Sequence, residues 1–199
     1  MSCSIIGFGA VGQALARAFA RKNIEVAVVS RRPPAALAPL AREIGPTIIP
    51  KSLQDAVEAE IVILAIPFWE HQEVAKAAAS WQGKIVIDAT NAFGVPVEEL
   101  DGLPSSVVIS RALPGARLVK GFNHLPAGVL GGDPNIKGGR RVLFLSSDDG
   151  SATDPVAALA EQLGFAPVGL GRLAERGALV QARGRTWTQL VFQDLVKFT

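Results

Sequence analysis

The stretch IIGFGAVGQAL, residues 5–15, decides the fold of this chain. Gly7, Gly9 and Gly12 have the spacing G-x-G-x-x-G, and they follow an apolar run and open an amphipathic segment. In that strand–turn–helix context the motif is typical of a dinucleotide-binding turn. The first glycine permits the tight turn, the second lets the backbone approach a pyrophosphate, and the third lets helix and strand pack closely. A tight turn without a ligand is the alternative.

Strand-length apolar runs alternate with helix-length amphipathic segments on either side of this turn. The sequence predicts strands over 3–6, 25–29, 47–49, 61–66, 84–89, 117–121, 141–146 and 165–170, and helices over 11–22, 35–44, 52–58, 69–80, 111–116 and 152–163. This alternation predicts one α/β domain with a Rossmann-like, doubly wound, mostly parallel sheet. Residues 172–199 are expected to form a helical tail, and its apolar positions make it a candidate dimer contact.

Composition excludes several functional classes. The 199 residues carry a net charge of +2 without a dense Lys/Arg run, which argues against a general nucleic-acid binder. Cys3 is the only cysteine, so we expect a buried structural thiol and neither a disulfide nor a metal cluster. No window approaches about 18 consecutive apolar residues, and the N-terminus lacks a signal-peptide pattern. We therefore expect a cytoplasmic protein with no membrane partner.

The end of the second predicted strand, EVAVVSRRPP (residues 25–34), indicates which dinucleotide is bound. In the NAD form of this fold an acidic residue near this point holds the ribose hydroxyls. Here Ser30, Arg31 and Arg32 follow the strand. Arginines attract a ribose 2′-phosphate and a serine hydroxyl can add a hydrogen bond, so two such contacts would favour NADPH over NADH by about a hundredfold. The alternative is that both arginines are solvated surface charges.

Other strand ends should contribute to the same crevice, because the carboxyl ends of parallel strands meet at one edge of the sheet. Thr90 and Asn91 follow one strand, and Asn123 follows another and could reach a nicotinamide amide. Pro67 ends a third strand, and Trp69 lies beside the predicted crevice.

His71 and His124 are the only histidines, and each is a weak candidate for a general acid. An ordinary polar position near a helix start or a loop is the alternative for both. No Ser-His-Asp arrangement is evident, so no catalytic residue is assigned. Asp88, inside a predicted strand, is interpreted as structural.

Six segments occur in an order that resembles a known family: IIGFGAVGQALA, VVSRRP, AIPFWEH, IVIDATNAFG, LVKGFNHL and GFAPVGLGRL. Over about residues 3–173 the chain resembles the NADP oxidoreductases that use the deazaflavin coenzyme F420. It is equally similar to the NADPH-binding domain of STEAP-type metalloreductases. The tail matches poorly past Gly171, which leaves the dimer contacts and the acceptor pocket open.

The resemblance implies roles for individual residues. It implies that the pyrophosphate is held by Gly7, Phe8, Gly9, Ala10, Val11 and Gly12, and that the 2′-phosphate is bound by Ser30, Arg31 and Arg32. It implies that the dinucleotide is lined by Ala65, Ile66 and Pro67, with His71 beside it. It also implies that the nicotinamide is flanked by Asn91 and Asn123.

The leading functional hypothesis is an NADPH-dependent oxidoreductase that transfers a hydride between NADP(H) and a deazaflavin or flavin, with coenzyme F420, FMN or FAD as acceptor. Such a reaction needs little acid–base chemistry from the protein, because the cofactors carry the reactivity. Two alternatives stay open: an NADPH-dependent reductase of a small carbonyl or imine, and a non-catalytic NADPH-binding redox sensor or partner subunit. A homodimer could supply a missing wall of the acceptor pocket.

Overall fold

The computed structural model describes residues 1–180, where strands and helices alternate as the sequence predicts. The strands are β1 Cys3–Ile6, β2 Val26–Val29, β3 Ile48–Pro50, β4 Ile61–Leu64, β5 Ile85–Asp88, β6 Arg117–Lys120, β7 Asn135–Ile136, β8 Gly139–Arg140, β9 Val142–Ser146 and β10 Ala166–Gly171. The α-helices are α1 Ala10–Arg21, α2 Pro34–Ile44, α3 Leu53–Ala56, α4 His71–Ala77, α5 Ser105–Ala112, α6 Ala127–Leu130 and α7 Gly150–Gln162. Short 3-10 helices span Phe68–Glu70, Val97–Leu100 and Arg176–Val180.

Eight strands form one sheet in the order β10-β9-β6-β5-β4-β1-β2-β3, and β7 and β8 form a separate small hairpin. In sheet order, the neighbouring strands β3, β2, β1, β4, β5 and β6 all pair in parallel. Strand β9 runs antiparallel to β6, and β10 is parallel to β9. The chain leaves β1 toward β2 on one side and returns to β4 on the other. The structure therefore confirms the Rossmann-like, doubly wound, mostly parallel sheet, and its topological switch lies between β1 and β4.

Both faces of the central strands are covered. Successive side chains of a strand point to opposite faces, so Ile5 and Ile63 join a core cluster on one face while Ile6 and Leu64 join a second cluster on the other. All four are 3% exposed or less. This two-sided burial explains why IVIL in β4 is apolar at every position.

Two predicted helices are wrong in their bounds. The helix expected over 111–116 is α5, Ser105–Ala112, because Pro104 stands at its N-cap and the Pro114–Gly115 turn, with Gly115 at φ +84°, ends it. The helix expected over 69–80 begins as the 3-10 turn Phe68–Glu70 and ends at Ala77, since Ala78 is already extended.

The predicted helical tail is only partly within the described residues. From 172 to 180 the structure has the 3-10 turn Arg176–Val180 rather than an α-helix. The apolar positions on which the dimer prediction rested, Leu190, Val191, Leu195 and Val196, lie outside the described residues. Within residues 1–180, no helix is long and apolar enough to cross a bilayer.

Candidate functional site

The three glycines of the first turn are required for different reasons. Gly7 has φ +101°, and a Cβ added there would lie 2.3 Å from the Ala65 carbonyl oxygen. A Cβ at Gly12 would lie 1.9 Å from the Gly7 carbonyl oxygen. At Gly9 an added Cβ would meet no atom within 4 Å. Protein packing therefore excludes side chains at Gly7 and Gly12, whereas Gly9 leaves free space for a ligand.

Helix α1 starts directly after this turn, with Gly9 as its N-cap and no side-chain cap from the described residues. The backbone N–H groups of a first helical turn have no partners within the helix, and they carry a partial positive charge. An anion such as a pyrophosphate fits this position because it can accept those hydrogen bonds.

A crevice of about 700 Å³ opens beside the turn, at the carboxyl ends of β1, β2 and β4. We call it the open end of the site. Of the predicted cofactor residues it brings together Gly7, Phe8, Gly9, Ser30, Arg31, Arg32, Ala65, Ile66 and Pro67. It is not lined by Ala10, Val11, Gly12, His71, Asn91 or Asn123.

The charged groups of the open end are exposed. The Arg31 side chain is 81% exposed and donates to the Glu70 carboxylate, which is 21% exposed. Ser30 closes a small turn, since its Oγ accepts from the Arg32 backbone N–H at 3.0 Å. Trp69 lies in the same wall and is 64% exposed. Sequence reasoning missed Glu70 as a partner of Arg31, because 39 residues separate them.

A second group of polar residues lies where β5 and β6 end, and we call it the buried end: Asp88, Thr90, Asn91, Lys120 and Asn123. Asp88 and Lys120 form an ion pair at 3.0 Å, and their side chains are 0% and 2% exposed. Asn91 donates to the Asn123 carbonyl at 2.9 Å, and Asn123 donates back to the Asn91 side-chain oxygen at 3.1 Å. The structure thus brings together the two predicted asparagines.

The turn Arg176–Val180 covers this buried end. Asn123 Nδ2 donates to the Val180 carbonyl at 2.8 Å. The turn lies close against β9, because a Cβ at Gly177 would be 2.8 Å from the Ser146 Cβ. Asn123 is only 7% exposed.

Neither histidine lines the crevice. His71 is 4% exposed, and its Nδ1 lies 2.6 Å from the Phe68 carbonyl oxygen. His124 Nε2 accepts from the Phe144 backbone N–H at 3.1 Å, which places the ring proton on Nδ1, an atom with no partner among the described residues. Burial lowers the pKa of His124 to about 4. Both side chains hold their local structure, and a role for either in proton transfer stays a prediction.

The remaining sequence predictions concern the Cys3 thiol and metal binding. Cys3 is buried, as expected, and burial raises the pKa of its thiol to about 11. Across residues 1–180, no three His, Cys, Asp or Glu side chains are grouped to hold a metal ion.

Comparisons with known proteins agree with this geometry. Residues 2–92 match the family described as NADP oxidoreductase, coenzyme F420-dependent. A hypothetical protein from Sinorhizobium meliloti is 40% identical, with a TM-score of 0.90 over 98% of this chain and 96% of that one. A putative F420-dependent NADP-reductase from an Arthrobacter species is 28% identical, with a TM-score of 0.74 over 89% of this chain and 88% of that one.

Two further similarities are more limited. Metalloreductase STEAP3 of Rattus norvegicus is 29% identical over 175 residues, which are 85% of this chain and 34% of the metalloreductase. The chain thus spans about a third of the length of this curated relative. A reductive aminase from Aspergillus terreus shares the fold alone, at 21% identity and a TM-score of 0.63 over 87% of this chain and 55% of that one.

Proposed function

We propose that the chain transfers a hydride between NADP(H) and a deazaflavin or flavin, because its residues 2–92 match the family of coenzyme F420-dependent NADP oxidoreductases and a putative F420-dependent NADP-reductase aligns over most of the chain. Coenzyme F420, FMN and FAD are the acceptors to consider. The dinucleotide binds across the carboxyl ends of the strands, with its adenosine half at the open end and its nicotinamide half at the buried end.

The observation that carries the proposal is the tip of β2. Ser30, Arg31 and Arg32 line the crevice where a carboxylate would select NAD. A guanidinium offers five donors in a plane, and Glu70 accepts from one terminal nitrogen of Arg31. The remaining donors of Arg31 are available to a 2′-phosphate, which NADPH carries and NADH lacks.

The placement of the histidines supports hydride transfer without a protein acid. The nicotinamide supplies the hydride when it is bound, and the protein holds the two rings in reactive contact and excludes water. His71 and His124 each use one ring nitrogen in a hydrogen bond within the fold, and neither side chain lines the crevice. A carbonyl or imine reductase would need a proton donor at the crevice, and neither histidine lines it.

The test of cofactor choice is a titration of the purified protein with NADPH and NADH, followed by nicotinamide emission. Arg31→Ala should weaken NADPH binding by about 10- to 100-fold and leave NADH unchanged, because only NADPH carries the 2′-phosphate. Arg42→Ala is the matched control, since Arg42 is exposed on α2 and does not line the crevice. Equal losses in both variants, or wild-type protein that binds neither nucleotide, would overturn the assignment.

The acceptor is tested by following NADPH oxidation with coenzyme F420, FMN and FAD. Turnover with one of them and not with small carbonyls or imines supports the proposal. Turnover with imines or carbonyls alone would make the chain a small-molecule reductase. Tight NADPH binding without turnover of any acceptor would make it a redox sensor or a partner subunit.

A homodimer and a cytoplasmic location belong to this proposal as predictions. Sedimentation of the purified protein at equilibrium tests the first. A monomer at all concentrations would contradict the homodimer prediction and would mean that one chain forms the acceptor pocket alone.

A further inference from the structure

The buried end contains an ion pair, and such a pair need not add net stability to a fold. Asp88 and Lys120 face each other on adjacent strands, in register, and are almost completely removed from solvent. Desolvation of two charges often cancels their attraction, so a buried pair is weak evidence for a stabilising role. The remaining hydrogen bonds of the two side chains indicate what the pair does.

Those hydrogen bonds hold one residue, Thr90, on both sides of its backbone. Asp88 Oδ1 accepts from the Thr90 N–H at 2.9 Å. Lys120 Nζ donates to the Thr90 carbonyl oxygen at 2.5 Å. Ser106 of α5 donates to Asp88 Oδ2 at 2.8 Å and fixes the carboxylate from behind. The backbone that leads into Asn91 is therefore fixed by a carboxylate and an ammonium group.

The turn that follows β6 is also held in place by packing. Phe122, between Lys120 and Asn123, has φ +63° although it is not a glycine. A bulky side chain rarely adopts that conformation, and such positions cluster at functional sites. Phe122 is fully buried and packs edge-to-face on Phe165 with ring centroids 6.1 Å apart. This packing holds the strained turn and aims the next residue, Asn123, at Asn91.

Two polar atoms of this arrangement have no partner. Thr90 Oγ1 and Asn123 Oδ1 are shielded from solvent and make no hydrogen bond among the described residues. Buried polar atoms are nearly always paired, so these two atoms at the ends of β5 and β6 have hydrogen-bonding capacity that a ligand could use. A primary carboxamide, which both donates and accepts, matches an unpaired amide oxygen beside a hydroxyl.

We infer that Asp88 and Lys120 are positioning residues for the nicotinamide half of the dinucleotide: through Thr90 they set Asn91 and Asn123 to bind its carboxamide. This inference rests on the proposed function. Neither charged side chain contacts the ligand, and both act through the turn that they hold.

The test separates the two halves of the cofactor. The ligands are NADPH, which fills both ends, and 2′,5′-ADP, which reaches only the open end. The lead variant is Asp88→Asn with Lys120→Met, which removes both charges and leaves none unpaired. Ser106→Ala is a milder second variant that removes one bond to Asp88. Arg31→Ala is the control for the open end.

For the double variant we expect unchanged binding of 2′,5′-ADP, about tenfold weaker binding of NADPH, and a smaller rise of nicotinamide emission on binding. Ser106→Ala should also weaken the binding of NADPH relative to that of 2′,5′-ADP, by a smaller factor. If the double variant does not fold, the result for Ser106→Ala tests the inference instead. Arg31→Ala should weaken both ligands.

A merely structural role predicts a different result. Partial unfolding would weaken both ligands by the same factor, and a pair with no role would change neither; either result overturns the inference while wild-type binding keeps the proposed function. If the wild-type protein binds neither ligand, the proposed function fails and this inference fails with it.

Discussion

The open end of the site places its charges on the surface, whereas the buried end places them inside the sheet. Arg31 is 81% exposed and pairs with one partially exposed carboxylate, while Lys120 is 2% exposed and pairs with a carboxylate that has no exposure at all. Exposed ion pairs contribute little to folding, and the loss of one member of a buried pair costs much. Substitutions of the charged residues at the open end should therefore change the free energy of unfolding little, whereas loss of one charge at the buried end should lower it strongly.

The largest effect that tests this comparison is on folding. Lys120→Met leaves the Asp88 carboxylate buried without its cation, so we expect a loss of about 3–5 kcal/mol in the free energy of unfolding. Arg31→Ala should change it by less than about 0.5 kcal/mol, because the side chain is exposed. Urea unfolding followed by circular dichroism measures both.

The double variant Asp88→Asn with Lys120→Met controls for the lost charge and should recover most of the stability. Similar losses in Lys120→Met and Arg31→Ala would mean that the two ends do not differ in the way their burial indicates.

The next effect is the pH dependence that His124 gives to the free energy of unfolding. Its folded pKa of about 4 lies below the usual value of about 6.5, because its ring is shielded from solvent. Above pH 6.5 both states are neutral at this ring and it has no effect. As the pH falls from 6.5 to 4, mainly the unfolded chain takes up the proton, so stability falls by up to about 3 kcal/mol and then levels off.

Urea unfolding at pH 7.5 and pH 5 tests this window. His124→Gln is the matched control, since its amide oxygen can still accept from the Phe144 N–H and does not titrate. The wild-type protein should lose more stability than the variant over this range. Parallel losses in the two proteins would show that His124 is protonated in the folded state.

A smaller effect distinguishes the packing role of Gly12 from the proposed ligand-binding role of Gly9. Gly12→Ala places a methyl group 1.9 Å from the Gly7 carbonyl oxygen and should cost about 1–3 kcal/mol of stability. Gly9→Ala meets no protein atom and should cost less than about 1 kcal/mol, yet weaken NADPH binding at least about tenfold.

Thermal unfolding and NADPH titration of both variants provide the check. Normal NADPH binding by a stable Gly9→Ala protein would mean that the space beside Gly9 is not the pyrophosphate site.

Sequence reasoning predicted the open end better than the buried end, for a physical reason. The glycine spacing and Ser30–Arg32 are local signals: each lies within one turn, and its chemistry follows from the residues themselves. The pair Asp88–Lys120 joins two strands 32 residues apart, and it becomes visible only once β5 and β6 are known to be neighbours in register. From the sequence, Asp88 is therefore interpreted as structural and Lys120 is placed inside the strand predicted over 117–121, without a link between the two.

Helix bounds depend largely on adjacent residues. The helix α1 begins at Ala10, one residue before its predicted start, and Ser52 caps α3 by accepting from the Asp55 N–H at 3.2 Å. The helix α5 also follows a proline, Pro104, and ends before the Pro114–Gly115 turn, and the prediction over 111–116 used neither signal.

The smallest expected effect concerns the ion pair between Arg31 and Glu70 at the open end. Glu70→Gln keeps the size of the side chain and removes a carboxylate that competes with a phosphate for Arg31. Because the pair is exposed on the arginine side, stability should change by less than about 1 kcal/mol. NADPH should bind up to about fivefold more tightly, and NADH should be unchanged, since only the 2′-phosphate gains from the freed guanidinium. The gain should shrink at high salt, where the charge of Glu70 is screened in the wild-type protein. Weaker NADPH binding in Glu70→Gln would instead mean that Glu70 orients Arg31 for the phosphate, and the open end would then resemble the buried end in holding its binding groups through an ion pair.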